Sequence, residues 1–291
     1  MIRAACAALL LLFCAGARAQ LKAIDDAGNS VVLPQPAQRI VSLAPHITEQ
    51  LFAIGAGERI VATTEYADYP TAAQKIPRVA RVNNVDLERV AAARPDLIII
   101  WGSGFSPAVV EALKRLGAPV YVNEPGAIES IATSIERLGV LVAHAEASVV
   151  AAAFRSRVAA LRAQYAQRKQ VAVFYQIWSE PLMTLGGRHV LSEAIRLCGG
   201  RNVFEQLAPI APQVSKEAVV AARPEIIVTA EPDAQPSDAL EMWRRFPQIP
   251  AVARNQLVTL DANRINRHTP RMVDELALLC ARIDAARTAA K

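Results

Sequence analysis

The chain has 291 residues, of which 53% are hydrophobic and 20% are charged, and this composition excludes a disordered chain, a collagen-like repeat and a small disulfide-rich scaffold. Several membrane spans are also excluded, because each would need a continuous apolar run of about 18–20 residues. The formal net charge of +5 comes from basic residues scattered along the sequence, so nucleic acid is not an expected partner.

The first 19 residues are predicted to be a secretory signal peptide. Arg3 supplies a positive start, Ala4–Gly16 is an apolar stretch too short to cross a membrane, and Ala17-Arg18-Ala19 is a typical cleavage site. Cys14 raises the alternative of a lipoprotein anchor, but bulky Phe13 precedes it where such signals carry a small residue. We therefore expect an exported protein that begins at residue 20.

Apolar, β-branched segments recur along the rest of the chain, with helical segments between them. The predicted strands are Arg39–Leu43, Ile60–Thr64, Leu97–Ile100 and Val120–Val122 in the first half, and Val171–Tyr175, Ile226–Thr229 and Leu257–Leu260 in the second. Because strands and helices alternate, we predict an α/β fold with mostly parallel sheets that are covered on both faces.

A twelve-residue motif occurs twice and indicates two related halves. The segment 88–99, ERVAAARPDLII, returns as 217–228, EAVVAARPEIIV, with seven identical positions at an offset of 129 residues. An offset this long is typical of two lobes and not of a solenoid. Each copy predicts a helix N-capped by Asp86 or Ser215, then a proline turn and a buried strand.

A long helix is predicted between the two halves. Residues 145–168 are rich in Ala, lack Gly and Pro, and carry apolar residues at near-helical spacing. Such a helix spans about 35 Å. We therefore predict two Rossmann-like lobes, at 20–143 and 170–291, joined by a rigid bridging helix at 144–169.

Two cysteines remain after export, Cys198 and Cys280. An even pair in an oxidising compartment is most simply a disulfide. Neither residue has the CxxC or Cys/His neighbours of a metal site or a thiol nucleophile. We therefore predict a Cys198–Cys280 disulfide.

Aromatic and polar residues follow the predicted strands in both halves. In open α/β sheets, ligands bind beyond the carboxyl ends of the strands. The candidate ligand-binding residues are Pro45, His46, Tyr66, Trp101, Gln176, Trp178, Asn266 and His268. Aromatic residues on both sides of a cleft favour a large, ring-bearing ligand. The alternative is that these aromatics cap the sheets and pack the lobes together.

Motifs of catalysis and of metal binding are missing from the sequence. It contains no GxSxG elbow, no P-loop and no HxH or HExxH cluster. We therefore expect a binding protein with no catalytic residue, no catalytic cofactor and no dedicated metal site. A secreted α/β hydrolase is the alternative from another class.

Glu88 and Glu217 open equivalent helices in the two copies of the motif. One explanation is local, because a carboxylate at a helix start gains about 0.3–1 kcal/mol from the helix dipole. The other explanation is that two acids related by pseudo-symmetry dock onto a symmetric partner with basic sockets. We favour docking.

Four segments resemble the iron-chelate/cobalamin class of periplasmic substrate-binding proteins, which serve ABC importers. They are residues 39–45 (RIVSLAP), 66–70 (YADYP), 87–97 (LERVAAARPDL) and 197–204 (LCGGRNVF). The resemblance runs from about residue 39 to residue 283. It implies two Rossmann-like lobes bridged by one helix and a monomeric protein in the periplasm, and it matches Cys198 and Cys280 to a disulfide of that family.

The resemblance also implies a ligand and a partner. It places Glu88 and Glu217 against arginines of the two permease subunits in the inner membrane, and Pro45, His46, Tyr66 and Trp101 around a corrinoid, either cobalamin or cobinamide. This chain departs from that pattern at Val82, Ile177 and Ala211, where the enterobacterial cobalamin protein has aromatics. The alternatives are therefore a ferric siderophore, or haem with Tyr66, Tyr69, His46 or His268 as an axial ligand.

Overall fold

The computed structural model describes residues 20–81, 84–236 and 238–289. The predicted signal peptide, with Cys14, and Val82 lie outside the described residues. Within these ranges, none of the helices has the length and apolarity needed to span a bilayer.

The first lobe is built on a six-stranded sheet, preceded by an antiparallel hairpin of β1 (Leu21–Ile24) and β2 (Ser30–Leu33). The strands of the sheet are β3 (Ile40–Ser42), β4 (Ile60–Thr64), β5 (Arg78–Arg81), β6 (Asn84–Val85), β7 (Leu97–Trp101) and β8 (Val120–Asn123). Their spatial order is β6-β5-β4-β3-β7-β8, and every neighbouring pair except β5–β6 is parallel. The strands that follow β3 in sequence therefore lie on both sides of it, with β4, β5 and β6 on one side and β7 and β8 on the other. A binding crevice is expected at the carboxyl end of β3, where the strand order reverses.

The second lobe is built on a five-stranded sheet centred on β9. Its strands are β9 (Val171–Ser179), β10 (Leu182–Thr184), β11 (Gly200–Asn202), β12 (Ile226–Glu231) and β13 (Leu257–Asp261). The strands β9, β11, β12 and β13 pair in parallel, and β10 pairs with β9 in the antiparallel sense. This confirms the predicted α/β fold with two mostly parallel sheets.

Eleven α-helices are described around the two sheets. They are α1 (Pro45–Ala53), α2 (Leu87–Ala92), α3 (Pro107–Lys114), α4 (Ile128–Val142), α5 (Glu146–Tyr165), α6 (Val190–Leu197), α7 (Lys216–Ala222), α8 (Asp238–Glu241), α9 (Pro250–Ala253), α10 (Ala262–Ile265) and α11 (Met272–Ala289). One buried apolar core runs from the first lobe through α4 and α5 into the second lobe, and each lobe has a further core beside its sheet.

The repeated motif forms the same local structure in both lobes. The Asp86 carboxylate accepts a hydrogen bond from the Arg89 backbone amide, and the Ser215 hydroxyl accepts one from the amide of Ala218. Both predicted N-caps of α2 and α7 are therefore present. The residues before the two prolines, Arg94 and Arg223, both adopt a left-handed backbone, with φ of 45° and 46°. The turn is thus made by the arginine that precedes the proline in each copy.

The predicted bridging helix corresponds to α5, and α4 lies beside it. The two helices are joined by residues 143–145 and pack closely, since a Cβ on Gly139 would lie 2.2 Å from the Ala147 Cβ. The start of α5 adjoins the first lobe, while just beyond its end Arg168 pairs with Asp284 of the second lobe. The 20 residues of α5 span about 30 Å. The residue bounds of the two lobes, 20–143 and 170–291, and of the bridge, 144–169, stay a prediction.

The disulfide between Cys198 and Cys280 is confirmed. Cys198 follows α6, Cys280 lies within α11, and both are completely buried. The bridge closes a loop between residues 82 apart in sequence, and such loops typically stabilise a fold by about 2–4 kcal/mol. It therefore fixes the C-terminal helix to the second lobe.

Candidate functional site

A cavity of about 380 Å³, which we call the interlobe cavity, lies between the two lobes. The first lobe lines it with the last residue of β7 and with residues that follow β7 and β8. The second lobe lines it with residues of β9, of β12, of the segment 185–191 that leads into α6, and of the segment 265–268 at the end of α10, together with Ile210. Most of the lining is apolar or aromatic: Trp101, Pro125, Tyr175, Ile177, Leu185, Val190, Leu191, Ile210, Ala230 and Ile265. The cavity therefore lies where strand ends of both sheets face each other.

A second cavity of about 420 Å³ adjoins it on the first lobe. Pro45, Tyr66 and Phe105 are among its lining residues, and it shares Trp101 and Ser103 with the interlobe cavity. Trp101 therefore stands in the walls of both spaces.

The eight candidate ligand-binding residues fall in different places. Trp101, Gln176, Asn266 and His268 line the interlobe cavity, while Pro45 and Tyr66 line the second cavity. His46 is buried, with its ring centroid 6.0 Å from that of Trp101. Trp178 lines neither cavity, is 62% exposed, and donates its indole N–H to the Glu180 carbonyl. Their roles in ligand binding stay predictions.

Trp101 is oriented by Glu124, a residue that the sequence did not single out. The indole N–H donates to the Glu124 carboxylate at 3.1 Å, and this carboxylate also accepts from the backbone amide and hydroxyl of Ser103. Gly102 lets the turn after β7 come close to the Glu124 carboxylate, because a Cβ on residue 102 would lie 2.7 Å from the Glu124 Oε2. Since Glu124 directly follows β8, the strand-end rule was a signal that could have found it.

The Gln176 side chain has protein partners for both ends of its amide. Its Nε2 donates to the Ser179 hydroxyl and the Ala239 carbonyl, and its Oε1 accepts from the buried indole of Trp243 at 2.6 Å. With only 1% of its surface exposed, Gln176 positions the end of β9.

A chain of amides links His46 in the first lobe to the second lobe. The Gln50 Nε2 donates to the His268 carbonyl at 2.5 Å, so its Oε1 is free to accept from the Asn123 Nδ2 at 3.1 Å. The Asn123 Oδ1 then accepts from the His46 Nε2 at 3.1 Å. One carbonyl thus fixes the orientation of two amides and places the proton of the neutral His46 ring on Nε2.

Two histidines, His189 and His268, line the interlobe cavity, and the ring of His46 lies 5.9 Å from that of His268. Burial, helped by the nearby His268, lowers the pKa of His46 to about 3. Burial likewise lowers the pKa of His189 to about 4 and also lowers the pKa of His268. All three rings are therefore neutral at pH 7.

His189, Arg188 and Tyr175 also line the cavity but were not among the candidate residues. His189 and Arg188 lie in the turn after β10, a strand that the sequence did not predict. Tyr175 lies inside β9, where residue type alone carried no signal.

Beside the cavity, a buried ion cluster joins the lobes. Glu49 on α1 is 3% exposed and accepts from Arg267 at 2.7 Å and from Arg271 at 3.0 and 2.8 Å. Arg267 also donates to Asp68 at 2.7 Å, and the Arg271 guanidinium lies 3.4 Å from the ring centroid of Tyr69. Two arginines of the second lobe are therefore anchored on the first.

Among residues 20–81, 84–236 and 238–289, no three His, Cys, Asp or Glu side chains converge into a group that could hold a metal ion.

Known proteins with a similar sequence are binding proteins. The sequence profile of the periplasmic binding protein family matches residues 40–264. The vitamin B12-binding protein of Vibrio cholerae serotype O1 is 39% identical over 249 residues, which are 85% of this chain and 89% of that protein.

Solved structures of periplasmic binding proteins also resemble the fold of this chain. The periplasmic vitamin B12-binding protein BtuF of Vibrio cholerae is 37% identical, with a TM-score of 0.79 over 87% of this chain and 98% of that chain. The periplasmic heme-binding protein RhuT from Roseiflexus sp. RS-1 has a TM-score of 0.74 at 22% identity, over 86% and 99% of the two chains. At that identity the second likeness concerns the fold alone.

Replacing Glu49 with Gln is expected to lower the free energy of unfolding by about 3 kcal/mol, because two arginines would lose the charge that compensates them. Urea unfolding of the purified protein measures this change. Glu111→Gln is the matched control, since Glu111 pairs with Lys114 at 2.7 Å on the exposed face of α3. This control is expected to leave the unfolding midpoint unchanged; equal effects of both variants would contradict a structural role for the cluster.

Acidification is expected to destabilise the protein through His46. The ring titrates near 6.5 in the unfolded chain and near 3 in the folded protein, so between these values only the unfolded chain holds the proton. The free energy of unfolding therefore falls as the pH is lowered, by about 2 kcal/mol between pH 7 and pH 5 for this group. Urea unfolding at both pH values is expected to show a smaller loss for His46→Asn; an unchanged loss would contradict this origin.

Proposed function

Because this chain belongs to the periplasmic binding protein family, we propose that it is an exported receptor that binds a corrinoid, cobalamin or cobinamide, between its lobes. The receptor delivers this ligand to an ABC importer of the inner membrane. The observation that carries the proposal is the interlobe cavity, with aromatic and apolar walls from both lobes, in a chain 39% identical to a vitamin B12-binding protein.

The chemistry of the cavity suits a macrocycle. The flat apolar faces of a macrocycle would be buried favourably against the side chains of Trp101, Ile177 and Leu191. Asn266, Arg188 and the His268 ring supply a few polar groups around this surface, and they can meet the polar side chains of the ring. Binding therefore combines a large apolar contact with a small number of orienting hydrogen bonds.

The receptor acts by binding alone and performs no covalent chemistry. It works as a monomer in the periplasm after the signal peptide at residues 1–19 has been removed. The lobes are residues 20–143 and 170–291, with the bridge at 144–169. A rigid helical bridge keeps the cleft from opening widely, so the ligand enters a largely preformed site.

Haem is the second candidate ligand. The specific observation in its favour is His268, a neutral imidazole in the wall of the interlobe cavity. Tyr66 and Tyr69 are less suited to ligation there, because Tyr66 lines the second cavity and Tyr69 lies under the Arg271 guanidinium. No observation favours a hydrolase.

Glu88 and Glu217 are the proposed contacts with the importer. Both are exposed in the first turn of equivalent helices, α2 and α7, and neither makes an ion pair with another described residue. The amide of Glu217 itself and the Ser215 hydroxyl lower the pKa of the Glu217 carboxyl, which keeps it charged. Two such acids, one on each lobe, suit a permease dimer with two basic sockets.

Calorimetry of residues 20–291 with cyanocobalamin, cobinamide and haemin is expected to give heat with at least one corrinoid. Trp101→Ala is expected to weaken that binding by about 30-fold, because the ligand loses an aromatic wall of the cavity that it would cover. Val149→Ser is the control, since Val149 is 69% exposed on α5 and outside the cavity. Heat with haemin alone would favour the second candidate, and no heat with any corrinoid would refute the first.

Charge reversal at the two docking acids is expected to separate transport from binding. The double variant Glu88→Lys, Glu217→Lys should bind its corrinoid with unchanged affinity, because both residues lie outside the cavities. Corrinoid uptake by cells that depend on this receptor should be abolished. The control Glu111→Lys reverses a charge on the exposed face of α3 and should leave uptake intact. Uptake by the double variant would show that Glu88 and Glu217 do not dock and only stabilise the starts of their helices.

A further inference from the structure

The three histidines near the interlobe cavity differ in which ring nitrogen is available. His189 caps α6 by accepting from the Leu191 amide on Nδ1 at 3.1 Å, so its neutral ring carries the proton on Nε2. His46 donates from Nε2 to Asn123, and the residue is buried and lines neither cavity, so its Nδ1 does not face the ligand space. Neither therefore presents a free lone pair to the cavity.

His268 is different. In the parts of the chain that the structure describes, neither ring nitrogen of His268 has a hydrogen-bond partner, although the ring lines the cavity. Its backbone is held on both sides, because Gln50 donates to the His268 carbonyl and the preceding Arg267 binds Glu49 and Asp68. Its ring centroid lies 5.9 Å from that of His46. The imidazole is thus presented from a fixed backbone into an apolar space.

A neutral imidazole nitrogen without a partner is a good ligand for a transition metal. Burial lowers the pKa of His268, so the lone pair is not occupied by a second proton at neutral pH. Within the described residues there is no set of three side chains that could hold a bare ion. A single imidazole suits a metal whose other positions are already filled by a macrocycle.

We propose that His268 coordinates the metal of the bound ligand and occupies one axial position of a cobalt or iron tetrapyrrole. This inference rests on the proposed function and adds the way in which the ligand is held. In the exchange, the bond between the metal and an axial water breaks, a bond to the imidazole nitrogen forms, and the oxidation state does not change. The receptor would therefore favour tetrapyrroles with an exchangeable axial position.

The test compares two forms of one corrinoid. Aquacobinamide has exchangeable axial water, whereas dicyanocobinamide in excess cyanide has both axial positions blocked. Binding of the first form to the unaltered protein is expected to shift its visible absorption bands, as replacement of water by imidazole requires. Binding of the second form should leave its bands unchanged.

His268→Ala is expected to remove the spectral shift and to weaken aquacobinamide binding by about tenfold. Its affinity for dicyanocobinamide should fall by less than its affinity for aquacobinamide, and an unchanged circular dichroism spectrum should show that the variant is folded. The substitution keeps the backbone carbonyl to which Gln50 donates. His144→Ala is the matched control, because His144 lies in the turn between α4 and α5 beside Glu146 and outside the cavity.

The outcomes separate the two proposals. If corrinoids bind to the unaltered protein without a spectral shift, or if the shift persists in His268→Ala, axial coordination is refuted and the proposed function stands. If calorimetry shows no corrinoid binding, the proposed function fails. Haemin then tests the same imidazole: a change of the Soret band that His268→Ala abolishes supports coordination to iron, and its persistence in that variant, or no binding, refutes coordination.

Discussion

The ion cluster that links the second lobe to the first depends on one buried carboxylate, Glu49. It accepts hydrogen bonds from both Arg267 and Arg271, and a charge this deeply buried is tolerated only while these partners remain in place. The adjacent residue on α1, Gln50, reaches the carbonyl of His268. One helical turn of the first lobe thus holds the loop of the second lobe that lines the interlobe cavity.

The central strands could be predicted because they are apolar on consecutive positions, as strands covered on both faces must be. The predicted Ile60–Thr64 has the bounds of β4, and Leu97–Ile100 differs from β7 by one residue. The β1–β2 hairpin and the short strands β5, β6, β10 and β11 were missed. They are two to four residues long and mostly alternate buried with exposed positions, so no continuous apolar run marks them.

The site could be predicted where it follows strand ends and not where it depends on contacts distant in sequence. The strand-end rule found Trp101, Asn266 and His268, which line the interlobe cavity. It could not reveal that Gln176 holds the indole of Trp243, because these residues are 67 positions apart. The free lone pair of His268 is likewise visible only once the partners of all three histidines are known.

Some residues of the loop from Asn266 to Arg271 line the cavity, and others contact the first lobe. Asn266 and the ring of His268 line the cavity, while Arg267, Arg271 and the His268 carbonyl hold the first lobe. Any displacement of this backbone would therefore change the wall of the cavity and the contacts between the lobes together.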